Sequence, residues 1–233
     1  MPGMTDYKAI LFDVDDTLIH VYPPVHETFI RAYRHLGLGI DDAKLKEAYQ
    51  AAIEFYWQEG LKYSEEDERL LWIRFNETIL HHLGFEGDVR DYAEEVIRFF
   101  EENSSHRVFP DVEPTLAALR SQGHILGAIT GRIHSTRPIL ERFGLMKYFD
   151  FYFAAGEVGL RKPEAAFYER ALRLARVKAS EALLVGNDLT DVEGARSVGI
   201  TPVLIDRQNQ FASADCIRLT DLRQLLSLLG GRR

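Results

Sequence analysis

Lys8 to Leu18 read KAILFDVDDTL, an unbroken apolar run that ends in two carboxylates two residues apart. The run (Ala9, Ile10, Leu11, Phe12) lacks polar alternation, the pattern of a strand buried on both faces of a parallel sheet. Such a strand has no structural use for acids at its tip. Asp16 and Thr17 are suited to capping the next element of the chain. Asp13 and Asp15 are more simply explained by a cation or by chemistry.

The rest of the chain says how that strand acquires neighbours. From about Val21 to His106 the pattern is helical. Leu45, Ala48, Tyr49, Ala52, Ile53, Tyr56 and Trp57 mark one helix face, between a cap at Asp41 and a stop at Gly60. Helices around Glu27–Leu36, after Ser64 and across Val89–Phe100 complete a small bundle, whose aromatic residues read as its core. From Phe109 onward helices alternate with the short apolar strands HILGAIT, FYFAA, ALLVG, TPVLID and CIRL, with one helix predicted to begin at Pro163. This alternation implies parallel pairing through right-handed crossovers. The fold expected is α/β, a Rossmann-like parallel sheet with helices on both faces, into which an all-helical domain is inserted. Residues 1–19 and 107–233 would form the discontinuous core and residues 20–106 the insertion.

Bulk properties narrow the function. A net charge of −8 speaks against a nucleic-acid surface, which demands a basic face. Cys216 is the only cysteine, so neither an internal disulfide nor a multi-cysteine metal site is available. MPGMTDYK carries no apolar signal core, and no apolar run is long enough to span a bilayer. A cytoplasmic protein, monomeric or homodimeric, without nucleic-acid or membrane partners is expected.

Ligands of open parallel sheets bind outside the carboxyl ends of the strands. Here the first strand ends in Asp13 and Asp15. HILGAIT ends in Thr130, followed by Gly131 and Arg132; ALLVG leads into Asn187, Asp188 and Asp191. Carboxylates, an amide and a hydroxyl from three strands thus share one rim. Such an oxygen-rich set suits a hard cation, Mg²⁺ where phosphate completes the shell, and the absence of a histidine cluster disfavours zinc. His20, just past the first motif, is close enough to touch a substrate. Lys162, in the loop RKP, is expected to open toward the same rim.

DVDDT at Asp13–Thr17, Thr130 after an apolar strand, Lys162 in RKP and GNDLTD at Gly186–Asp191 resemble the four motifs of the haloacid dehalogenase superfamily, in order. The helical insert is similar to the cap of the subfamily with helical caps. The resemblance implies a phosphatase acting on a small phosphorylated metabolite. Asp13 would be the nucleophile that forms an aspartyl-phosphate, and Asp15 the general acid and base whose backbone carbonyl also binds Mg²⁺. Thr130, Gly131 and Lys162 would hold the phosphoryl group, with Lys162 also restraining Asp13. The metal ligands would come from Asp13, Asp15, Asn187, Asp188 and Asp191. Two departures stand out: Asn187 where the fourth motif commonly begins with Asp, and Asp16 where many members have glycine.

The same superfamily contains 2-haloacid dehalogenases and phosphomutases. Halide leaves without protonation, whereas an alkoxide needs a proton, so an acid two residues past the nucleophile favours phosphoester hydrolysis. A phosphomutase shares both acids. A receiver-like sensor accepting phosphate on Asp13 would be about half this length and would have no insertion.

Overall fold

The computed structural model describes residues 7–230. The elements are β1 (Ala9–Phe12), β2 (Ile19–Tyr22), α1 (Val25–His35), α2 (Asp42–Glu59), α3 (Glu68–His82), α4 (Arg90–Asn103) and β3 (Ser105–Val108). They continue with α5 (Val112–Ser121), β4 (Ile125–Thr130), α6 (Arg137–Arg142), β5 (Phe151–Ala154), α7 (Ala155–Val158), α8 (Ala165–Ala175), β6 (Ala182–Gly186), α9 (Leu189–Ser197), β7 (Thr201–Ile205), β8 (Ile217–Leu219) and α10 (Arg223–Leu229).

Six strands form one parallel sheet in the order β5-β4-β1-β6-β7-β8. The order reverses around β1: the chain runs outward through β4 and β5, then returns to lay β6 on the other side. Phe12 is level with Ala128 on one side and Val185 on the other, so the next residues of the three strands emerge at one edge. Along β1, Ile10 and Phe12 pack into a cluster with Val112 and Leu116 of α5 and Leu225 of α10. Ala9 and Leu11 pack into a second cluster with Phe167 and Ala171 of α8 and Ala195 of α9. Both faces of the strand are therefore covered, which is why the run carries no polar residue. The chain is an α/β protein with a Rossmann-like parallel sheet and helices on both faces.

The chain divides into two compact units: one through His20 and from Val108 onward, the other Val21–Arg107. In the second unit α2 packs on α3, α3 on α4 and α4 on α1. Its interior is aromatic, with Phe29 stacked against Phe75 and Phe100 at centroid distances of 6.3 and 5.3 Å. The buried Asn76 amide is satisfied by the Tyr33 hydroxyl, 3.0 Å from Oδ1, and by the Trp72 carbonyl, 2.9 Å from Nδ2.

Two elements differ from the sequence reading. The segment Val21–His106 is not helical at its ends, because Ile19–Tyr22 and Ser105–Val108 pair as a two-stranded ribbon. The helix expected at Pro163 begins at Ala165, after a cis peptide bond between Lys162 and Pro163.

Candidate active site

Between β1 and β2 the chain folds into a tight loop, in which Val14 O accepts from Leu18 N (2.9 Å) and Ile19 N (3.1 Å). Asp16 takes φ +55°, a left-handed conformation that Asp tolerates better than most side chains. The loop directs Thr17 inward, where its hydroxyl donates to Asp13 Oδ2 at 3.0 Å.

Asp13 is buried and the Lys162 side chain is only 9% exposed, and Lys162 Nζ lies 2.6 Å from Asp13 Oδ1 and 2.8 Å from Asp191 Oδ1. One ammonium is thus shared by two buried carboxylates, and it compensates them only in part. Burial, opposed by Lys162 and reinforced by Asp191 and Asp15, pushes the Asp13 carboxyl up to about 7. Burial alone would lower the Lys162 pKa, but Asp13 and Asp191 outweigh it and hold the ammonium above its ordinary value.

Asp191 reaches this position from α9 because Gly186, at the end of β6, leaves room. A Cβ added at Gly186 would sit 2.7 Å from Asp191 Cβ and closer still to its carboxylate. Gly186→Ala is therefore expected to push Asp191 off Lys162 and cost about 1–3 kcal/mol of stability, the usual range for overpacking. Urea unfolding checks this, and a midpoint equal to wild type would contradict the crowding.

Asn187 follows β6 and meets the β1 loop. Its amide oxygen faces oxygens: the position lies 3.1 Å from the Asp15 carbonyl oxygen, 3.1 Å from Asp13 Oδ2 and 3.3 Å from Thr17 Oγ1. Turning the amide would present N–H donors to all three instead. A hard cation among the Asp13, Asp15 carbonyl and Asn187 oxygens would equally relieve their repulsion, and this donor set fits Mg²⁺. Among the described residues no three His, Cys, Asp or Glu side chains are grouped to hold a metal ion, so the set depends on an amide and a carbonyl. The other acids expected as ligands have partners of their own. Asp188 is exposed and caps α9, accepting from Thr190 N at 2.8 Å, and Asp191 is paired with Lys162.

Asp15 is half-buried at the same edge. Thr130 Oγ1 donates to its Oδ2 at 3.2 Å, while Arg132 Nε lies 3.1 Å from Oδ2 and an Arg132 terminal nitrogen 2.7 Å from Oδ1. Arg132 N in turn donates to Thr130 Oγ1 at 3.2 Å. The motif pattern does not foretell the forked Arg132–Asp15 pair, although Arg132 stands two residues past a strand end where such groups collect. Gly131, between the two donors, is half-buried. His20, considered as a substrate contact, instead stacks on Phe109 with ring centroids 4.3 Å apart.

A nucleophile candidate fixed by a largely covered lysine, an acid two residues on and a hard-donor cluster make up a hydrolase-type site at the switch in strand order. The chain belongs to the haloacid dehalogenase-like hydrolases, whose family model matches residues 7–199. It is 32% identical over 207 residues to the ribulose-1,5-bisphosphate 5-phosphatase of Halopiger xanaduensis, covering 85% of this chain and 84% of that one. It is 29% identical over 245 residues to the phosphoserine phosphatase of Thermus thermophilus, covering 94% and 97%. The crystal structure of a 2-haloacid dehalogenase from Pseudomonas syringae pv. Tomato superposes with a TM-score of 0.64 at 27% identity, over 97% of this chain and 99% of that one.

Proposed function

We propose that the protein is a Mg²⁺-dependent phosphatase that hydrolyses a small-molecule phosphomonoester through an aspartyl-phosphate on Asp13. The observation that carries this reading against dehalogenation is Asp15: a second carboxyl at the rim, gripped by Thr130 and Arg132 rather than turned away. A halide would give it nothing to do.

Asp13 is the attacking group. A new bond forms between its carboxylate and phosphorus while the ester P–O bond breaks, and Asp15 gives its proton to the departing oxygen. In the second half Asp15 takes a proton from the water that attacks phosphorus, releasing phosphate and restoring Asp13. Lys162 aims Asp13 and donates to the phosphoryl oxygens together with Thr130 and the backbone at Gly131. For Asp15 to reach the leaving oxygen, Thr130 and Arg132 must release it, so the paired geometry is a resting arrangement. Mg²⁺ held by Asp13, the Asp15 carbonyl and Asn187 would offset the charge of the phosphoryl group as it approaches Asp13. These groups recognise only the transferred phosphoryl, so the choice of leaving group is assigned to the inserted helical unit, acting as a cap.

Purified protein with p-nitrophenyl phosphate and MgCl₂ is expected to show sustained turnover that EDTA abolishes and added Mg²⁺ restores. Chloride release from 2-chloropropionate without phosphatase turnover would replace this reading with dehalogenation.

A further inference from the structure

The geometry points to Arg207 as a positioning residue for Asp13, acting through Thr17. Arg207 follows β7 by two residues, at the same edge of the sheet as the site. Its side chain is 16% exposed and its guanidinium splits between two partners: one terminal nitrogen donates to Asp111 Oδ2 at 2.8 Å and the other to the Thr17 carbonyl at 2.9 Å. Its plane lies over Phe109, 3.8 Å from the ring centroid, and His20 stacks on that ring as well.

Each link in this chain has a reason. Thr17 is fully buried but lies in a loop, outside helix and ladder, so its carbonyl requires a donor from elsewhere. Arg207 supplies it with a charge-assisted bond. Asp111, 1% exposed, cannot move aside, because its Oδ2 also accepts from Leu222 N at 2.7 Å, at the start of α10. Phe109 N donates to the Leu18 carbonyl at 3.2 Å, so the loop is tied on both sides of Thr17's neighbourhood. Thr17 Oγ1 then holds Asp13 Oδ2 at 3.0 Å. The Thr17 main chain is thus set from β7 and α5, while its side chain sets the nucleophile.

This role rests on Asp13 being the nucleophile. Its test needs a control for plain loss of stability, and the molecule contains one. Arg218 in β8 makes a similar ion pair with Asp206, 3.1 Å apart and with Asp206 equally buried. Its other bonds go to the Asn209 side chain and the Ala212 carbonyl, away from the Asp13–Ile19 loop. Arg207→Met keeps an unbranched stem on Phe109 and removes both hydrogen bonds; Arg218→Met does the same to the control pair.

Both variants are expected to lower the thermal midpoint. Only Arg207→Met should lower kcat on p-nitrophenyl phosphate, by about 10- to 100-fold with KM held within about twofold, since a misplacement of the order of 1 Å costs that much. Arg207→Lys, which can reach one partner at a time, should recover part of the loss. A kcat for Arg207→Met within twofold of wild type, or an equal loss in Arg218→Met, would overturn the proposal. A second readout does not use turnover. The midpoint shifts of Arg207→Met and Asp13→Asn, residues linked through Thr17, should be non-additive, whereas those of Arg218→Met and Asp13→Asn should add. Additivity in both pairs would sink the linkage even if the wild type hydrolysed no phosphoester, and absence of wild-type turnover would count against the phosphatase reading alone.

Discussion

Asp13→Asn is expected to reduce turnover of p-nitrophenyl phosphate by at least about 10³-fold, within the loss of up to about 10⁶-fold seen when an essential nucleophile is removed, and at the same time to make the metal-free protein more stable. The first half follows from the proposed chemistry, because an amide cannot form the aspartyl ester. The second follows from electrostatics. Asp13 and Asp191 share the single ammonium of Lys162 in a buried cluster, and burial holds the Asp13 carboxyl up at about 7. A carboxyl whose folded-state pKa lies above its unfolded value near 3.8 binds its proton more tightly when folded. Its ionisation therefore weakens folding as the pH rises between those values, and the full penalty is present above about 7. The rise from 3.8 to about 7 corresponds to a penalty of the order of a few kcal/mol. Asp13→Asn lacks the penalty and leaves Lys162 and Asp191 as a one-to-one pair. In EDTA at pH 8 its thermal midpoint should exceed that of wild type; near pH 4 the two should converge. Saturating Mg²⁺ should narrow the gap at pH 8 by stabilising the wild type. A variant that is less stable than wild type at pH 8 in EDTA would contradict the view that Asp13 is held at a cost to the fold.

The parts legible in the sequence are those governed by burial along a strand. The apolar string ALLVG coincides with β6 at both ends, because five residues buried on both faces leave no polar alternation to blur the edges. The same property places Asp13, Thr130 and Asn187 at one edge from the string alone. The direction in which a side chain turns once it leaves the strand is not legible. Asp188 and Asp191 are equally plausible cation ligands in a string, but α9 begins at Leu189, so Asp188 caps it while Asp191 points back under Gly186 to Lys162. Pro163 suits a first-turn position equally well, yet it stands outside α8, with Glu164 between it and the helix. The ribbon of β2 and β3 is hidden because IHVY and SHRV are only four residues each, largely half-exposed or exposed, and SHRV opens on three polar residues, a weak signal beside four helices. Arg207 is legible in principle: it lies just past the end of TPVLID, a fourth strand of the same sheet, as Arg132 lies just past the end of HILGAIT.

Lys162→Met carries the largest expected loss of stability. The substitution leaves Asp13 and Asp191, both nearly inaccessible, facing each other without a cation. Breaking a buried pair by removing one partner typically costs about 3–5 kcal/mol, far more than the intact pair contributes over an apolar replacement. For a chain of this size that corresponds to a fall of roughly 6–20 °C in thermal midpoint. The loss should be largest in EDTA at high pH, where Asp13 must ionise without its cation, and should shrink as the pH falls and Asp13 takes up a proton. Mg²⁺ should return part of the lost stability, since Asp13 is proposed to help hold the cation and the bound charge would stand in for the missing ammonium. Lys162→Met/Asp191→Asn removes one of the two stranded charges and should be more stable than the single variant, yet remain impaired in catalysis for want of the ammonium that aims Asp13. That separation of stability from rate is the informative result. If the single variant unfolds at the wild-type midpoint in EDTA at pH 8, the ammonium does not bridge the two carboxylates in solution. The account of Asp13 as a nucleophile held ready by Lys162 would then lose its electrostatic basis.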